Sequence, residues 1–146
     1  MERIIEFSAN HYIYVIALAV VTYLLIQEIM DALLNKFGSI SPLLAVTKMD
    51  NGHVVIIDVR EPDDYAKGHI EGAINMPLGL VKDKLPSLDK NKKDTILVVC
   101  QNGTRSASAG KTLTKAGFEQ VLVITGGMLA WQEDYKLPIK TSGKKK

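Results

Sequence analysis

Cys100-Gln101-Asn102-Gly103-Thr104-Arg105 is where this chain could do chemistry, and it holds the only cysteine. The apolar run Thr95-Ile96-Leu97-Val98-Val99 precedes it, and Ser106-Ala107-Ser108-Ala109-Gly110-Lys111-Thr112-Leu113 follows with a composition that can wind into a helix. A cysteine between a strand end and a helix start lies where backbone N–H groups lack partners and carry positive partial charge. A thiol held there gives up its proton more easily and becomes a nucleophile. A free cysteine is more often simply buried in the core. Here the flanking loop is polar, flexible and basic, and the carboxyl end of a central strand is where open α/β sheets place their sites. Gly103 suits a turn that needs positive φ. Arg105 at a helix start opposes the helix dipole, so its use is to hold an anion or to bind the loop's own carbonyls. Ser106 reads as a helix-cap residue.

The elements that must position this loop are legible from hydrophobic runs and turn signals. His53-Val54-Val55-Ile56-Ile57-Asp58-Val59-Arg60, Thr95–Val99 and Gln120-Val121-Leu122-Val123-Ile124 are β-branched runs bounded by turn residues. Such runs are strands covered on both faces, as in a parallel sheet. Ser41 caps a short helix with Pro42 at its first position, reaching about Met49. Asp63 to Gly68 forms a helical turn, and His69 to Pro77 is a loop entering a short strand. Leu80 to Leu88 is an amphipathic helix interrupted by Pro86, and a helix runs from Ser106 to about Ala116. Thr125-Gly126-Gly127-Met128-Leu129-Ala130-Trp131 turns into a last helix. Strands alternating with helices predict an α/β domain with a mainly parallel sheet.

The N-terminal part has a different character. From Phe7 to Gln27 there is no Asp, Glu, Lys or Arg, and the segment is long enough to cross the ~30 Å hydrocarbon core as a helix. Tyr12 and Tyr14 suit an interfacial position. The mixed charges of Met1 to Glu6 and the lack of a small-residue cleavage site argue against a removable leader. A single-pass anchor is expected. The flanking basic residues, Arg3 before the span and Lys36 and Lys48 after it, are nearly balanced and do not decide orientation. A lone reactive thiol favours a reducing compartment, which points the domain to the cytoplasmic side of an inner membrane.

The net charge of +2 does not imply nucleic acid. No His/Cys grouping has metal-ligand spacing, and no glycine-rich nucleotide loop is present, since Gly126-Gly127 is a bare pair. No cofactor is expected.

Four segments, in order, carry a family resemblance: Ile57-Asp58-Val59-Arg60-Glu61-Pro62-Asp63-Asp64-Tyr65, Gly68-His69-Ile70-Glu71-Gly72-Ala73-Ile74-Asn75-Met76-Pro77, Val99 to Ser106, and Gly126 to Trp131. The chain resembles a single rhodanese-like domain preceded by a membrane anchor. The resemblance implies a three-layer α/β/α fold with a mainly parallel central sheet. It covers the domain over 41–138; the composition adds an anchor over 1–30, a linker over 31–40 and a basic tail over 139–146. The resemblance implies a sulfurtransferase in which Cys100 carries a persulfide and Gln101, Asn102, Gly103, Thr104 and Arg105 bind substrate. The expected partners are a small sulfur donor (thiosulfate or a persulfide) and a thiol acceptor. A tethered binding or scaffold module is the alternative. Four residues separate Cys100 from Arg105, one fewer than in a tyrosine-phosphatase loop, so the cradle suits an extra sulfur better than a phosphate. Gln101 stands where thiosulfate-using members often carry arginine, which leaves the loop one fixed positive charge. Asp58, Arg60, Glu61, His69 and Glu71 are expected to fix the neighbouring turns through hydrogen bonds and ion pairs, with His69 as a general base the alternative, though nothing in the sequence places it near Cys100.

Overall fold

The structure, a computed structural model, describes residues 11–34 and 37–142. The chain divides into two units, Met1–Asn35 and Lys36–Lys146.

The first unit contains helix α1 (Tyr12–Leu34). Its stretch Tyr12–Met30 has a mean hydropathy of 2.1, and its residues are exposed. By length and composition α1 can cross a membrane. The expected span began at Phe7; residues 7–10 lie outside the described residues.

The second unit is a five-stranded sheet with helices on both faces. Its elements are β1 (Gly38–Ile40), α2 (Pro42–Asn51), β2 (Val54–Asp58), α3 (Pro62–Lys67), β3 (Ile74–Asn75), α4 (Val81–Lys84), β4 (Thr95–Val99), α5 (Thr104–Lys115), β5 (Gln120–Ile124) and α6 (Gly127–Leu129). The strand order is β1-β5-β4-β2-β3, and every pairing is parallel. Alternate side chains of β2, β4 and β5 feed two cores. Ile57, Val59, Ile96, Val98, Val121 and Val123 pack with Ala109 and Leu113 of α5. Ile56, Leu97, Val99 and Ile124 pack on the other face with Ala45, Met128 and Trp131. Burial on both faces is why these strands read as unbroken apolar runs rather than alternating ones. The three-layer expectation is met.

Ser41 caps α2 as expected, its hydroxyl accepting from Leu44 N–H at 3.4 Å, with Pro42 in the first turn. Other expectations need correction. Within residues 31–40, the helix runs on past Glu28 as its sequence indicates, to Leu34, whereas Gly38–Ile40 adds an edge strand, not expected there, in register with Leu122 to Ile124. Three residues show no period, and what makes them a strand is the unpaired edge of β5. The expected tail is also partly structured. Lys140 exchanges backbone hydrogen bonds with His69, both at 2.8 Å, and Ser142 N–H bonds Ala66 O. Lys140 also bonds the Glu71 carboxylate and holds it below the usual carboxylate range. The expected helix over Leu80–Leu88 is instead two 3-10 turns, Leu78–Leu80 and Leu85–Asn91, flanking the single turn of α4. Pro86 lies in the first turn of the second 3-10 segment, where its missing N–H costs nothing.

The chain leaves β2 toward one face of the sheet and β4 toward the other: α5 packs on one core, while Tyr65 of α3 packs on the second. The carboxyl ends of β2 and β4 therefore border a crevice, the place where open α/β sheets bind ligands.

Candidate functional site

Cys100 follows β4, the central strand, and is fully buried. The loop folds around its sulfur. Gly103, with φ +103°, turns the chain so that its N–H points at Cys100 Sγ, 3.0 Å away. A side chain would strain that φ. Asn102 Oδ1 accepts from Thr104 N–H at 3.3 Å, covering one of the free donors at the start of α5. Burial pushes the Cys100 thiol up. The Ser106 hydroxyl and the backbone N–H groups of Ser106, Gly103 and Asn102 outweigh burial and hold it below its ordinary value.

Ser106 is a correction to the cap expectation. Gly103 occupies the cap position, and Ser106 lies within the first turn of α5, fully buried. Its hydroxyl donates to Gly103 O at 2.8 Å and accepts from the Cys100 thiol at 3.4 Å. When the thiol ionises, the same hydroxyl can rotate to donate to the thiolate. In Ser106→Ala, the midpoint of Cys100 alkylation against pH should therefore move upward, and alkylation at neutral pH should slow. An unchanged pH profile in a folded variant would assign the hydroxyl to Gly103 alone.

The loop rests on a second support. Met128 N–H bonds Cys100 O at 2.8 Å, and Leu129 N–H bonds Gln101 O at 3.0 Å. The turn at Gly126 and Gly127, both with positive φ, brings the start of α6 against the loop. A Cβ on Gly127 would sit 2.3 Å from Cys100 O and 2.7 Å from Gln101 C. Gly127 is thus a site residue that its reading as a bare pair missed; its place beside Trp131 in the family signature was the available signal.

The Gln101 side chain reaches to Arg60. Its Oε1 accepts from Arg60 Nη1 at 3.3 Å. Arg60 is buried and paired with buried Asp58: Nη2 lies 2.7 Å from Asp58 Oδ2, and Nε is 3.0 Å from Oδ1. Arg60 Nη2 also donates to Gly68 O at 2.7 Å, tying the end of β2 to the end of α3. Removing one partner of such a pair strands a buried charge, at a cost of about 3–5 kcal/mol. Asp58 and Arg60 therefore have the structural part expected of them. So has His69: its ring stacks on Tyr65 at 3.8 Å, and Nδ1 lies 2.9 Å from Tyr65 O. Glu71 pairs with Lys140, as described above. The Glu61 side chain makes no cap bond; its carbonyl accepts from Asp64 and Tyr65 N–H.

Arg105 is half-buried and makes no hydrogen bond or ion pair among the described residues. It does not hold the loop carbonyls. Its positive charge adds to those of Lys67 and Arg60 in lowering Asp64, whose hydrogen bond to Lys67 is the main cause.

The chain is similar in sequence and fold to known proteins. The sequence model of the rhodanese-like domain matches residues 41–134. The chain is 31% identical over 132 residues to the protein YibN of Escherichia coli K12, covering 90% of this chain and 92% of that one. It is 36% identical over 102 residues to the thiosulfate sulfurtransferase GlpE of Pseudomonas entomophila, covering 70% and 91%. The crystal structure of a rhodanese-related protein from Thermoplasma volcanium superposes with a TM-score of 0.64 at 27% identity, over 70% of this chain and 97% of that one. With its parallel five-stranded sheet and its cysteine loop after the central strand, the chain belongs to the rhodanese-like domain family.

Proposed function

We propose that the protein is a sulfurtransferase that carries a sulfane sulfur on Cys100. The observation that carries this reading is the lone thiol at the end of β4. The Gly103 N–H bonds it at 3.0 Å, and it is held below its ordinary pKa. In the first step the Cys100 thiolate attacks the sulfane sulfur of a donor. The new bond is Sγ–S, and the broken bond is that between the sulfane sulfur and the rest of the donor. The donor leaves with the electron pair, as sulfite from thiosulfate or as a thiolate from a persulfide. In the second step an acceptor thiolate or cyanide attacks the outer sulfur, and Cys100 leaves as the thiolate. No net oxidation occurs, and the chemistry needs no group beyond the side chain itself.

The backbone N–H groups around Sγ serve both states, since negative charge rests on sulfur in each. Arg105, free of partners among the described residues, adds one positive charge beside the loop. Gln101 adds none and is engaged with Arg60, so a persulfide donor is served at least as well as the thiosulfate dianion.

The test is the intact mass of the full-length protein after incubation with thiosulfate, and separately with inorganic polysulfide. A gain of one sulfur, removed by cyanide, is expected. No gain from either donor would turn the reading toward a tethered binding module.

The same reading places α1 in the inner membrane, with the domain on the cytoplasmic side. The apolar, unburied surface of Tyr12–Met30 supports the anchor, and the need to keep a single thiol reduced supports the side. The protein should stay in the membrane pellet through a carbonate wash. A C-terminal reporter active only in the cytosol should be active. Release by carbonate, or a silent but expressed reporter, would refute the anchor or the orientation respectively.

A further inference from the structure

A cavity of about 420 Å³ lies beside the cysteine loop, bordered by Arg60, Asp64, Lys67, Gln101, Gln132 and Ile139. Gln101, its wall on the loop side, is the residue next to Cys100. The cavity is far larger than a small inorganic dianion requires. Its charges are also wrong for one. Arg60 is neutralised by Asp58 at 2.7 Å, and Lys67 by Asp64 at 3.0 Å, so the lining has both signs and little net charge. The Asp64–Lys67 pair is exposed, so it opens at little cost. Opened, it offers an ammonium to a carboxylate and a carboxylate to an ammonium. The amides of Gln101 and Gln132 add donors and acceptors, and Ile139 adds an apolar wall.

We propose that this cavity binds the zwitterionic end of an α-amino-acid thiol. Its carboxylate would lie toward Lys67 and its ammonium toward Asp64, so that its sulfur is presented to the Cys100 loop. The inference rests on the sulfur-transfer reading above and names the acceptor class for it. The acceptor, as thiolate, having lost its proton to solvent, attacks the outer sulfur of the Cys100 persulfide. An S–S bond forms to the acceptor, the Sγ–S bond breaks, and Cys100 leaves as the thiolate.

Full-length protein in detergent is loaded with sulfur from inorganic polysulfide and freed of excess reagent. Its discharge is then followed by intact mass at equal thiolate concentrations of four acceptors: cysteine, cysteamine, 3-mercaptopropionate and 2-mercaptoethanol. Cysteine should reach half-saturation at a concentration about two- to fivefold below cysteamine and 3-mercaptopropionate, the scale of one exposed ion pair, and further below 2-mercaptoethanol, which lacks both. Lys67→Gln should bring cysteine to the level of cysteamine, and Asp64→Asn to that of 3-mercaptopropionate. Ratios within one protein cancel any change in overall activity, and both substitutions are at exposed positions. Equal half-saturation for the four thiols, a singly charged thiol as good as cysteine, or an advantage that survives both substitutions would each overturn the proposal. If Cys100 takes sulfur but discharges indifferently, only this inference falls. If Cys100 takes no sulfur, the sulfur-transfer reading falls with it.

Discussion

Cys100→Ser should keep its fold and lose sulfur transfer to cyanide by at least about a thousandfold, the scale seen when a covalent nucleophile is removed. The serine hydroxyl is smaller than the thiol, can keep the contacts to Gly103 N–H and Ser106, and so leaves the loop assembled. What it lacks is the accessible anion: a thiol in this ring ionises readily, whereas a serine hydroxyl does not. The measurement is steady-state transfer from thiosulfate or polysulfide to cyanide, with thermal unfolding as the control on folding. Transfer at wild-type rates by folded Cys100→Ser protein would end the assignment of the chemistry to this residue.

Gly127→Ala should damage both stability and transfer. The new Cβ would lie 2.3 Å from Cys100 O and 2.7 Å from the carbonyl carbon and oxygen of Gln101, all backbone atoms that cannot step aside. The residue also has φ +59°, which disfavours a side chain. Overpacking and left-handed strain together amount to about 2–5 kcal/mol. For a domain of this size that lowers Tm by at least about 10 °C. Relief requires moving α6 off the loop, which breaks the bonds from Met128 and Leu129 that support Cys100 and Gln101. Transfer should therefore fall even at temperatures where the variant is folded. Gly72→Ala is the matched control. It too has positive φ, +78°, but a Cβ there meets nothing within 4 Å, so its cost should be the strain of about 1–2 kcal/mol alone. Gly127→Ala with the Tm and turnover of Gly72→Ala would show that the close approach to the loop is not what the glycine serves.

The elements surrounding the loop were legible to different degrees, for physical reasons. β4 and β5 have the expected bounds because each is a β-branched run stopped by turn residues at both ends, so local pattern and tertiary burial agree. α2 starts where Ser41 and Pro42 signal it. The strand over Gly38–Ile40 and the backbone pairing of Lys140 with His69 were not legible. Each is two or three residues long and exists because another part of the chain presents a free hydrogen-bonding edge. Ser106 was misread for a related reason. A serine near a helix start usually caps it, but here Gly103 already holds that position, and the hydroxyl turns inward to the sulfur.

The sequence by itself determined the single cysteine, the length of the loop that follows it, the two-faced strand that precedes it, and the apolar helix ahead of the domain. These are properties of residue type and spacing along one stretch of chain. Tertiary structure alone decided that α6 braces the loop and that the Gln101 side chain bonds Arg60. It alone decided that Arg60, Lys67, Asp64 and Ile139, from three separate segments, enclose a cavity beside the loop. Those facts depend on which strand ends become neighbours. In a parallel sheet that order is set by crossovers packing on opposite faces, which no local run of residues encodes.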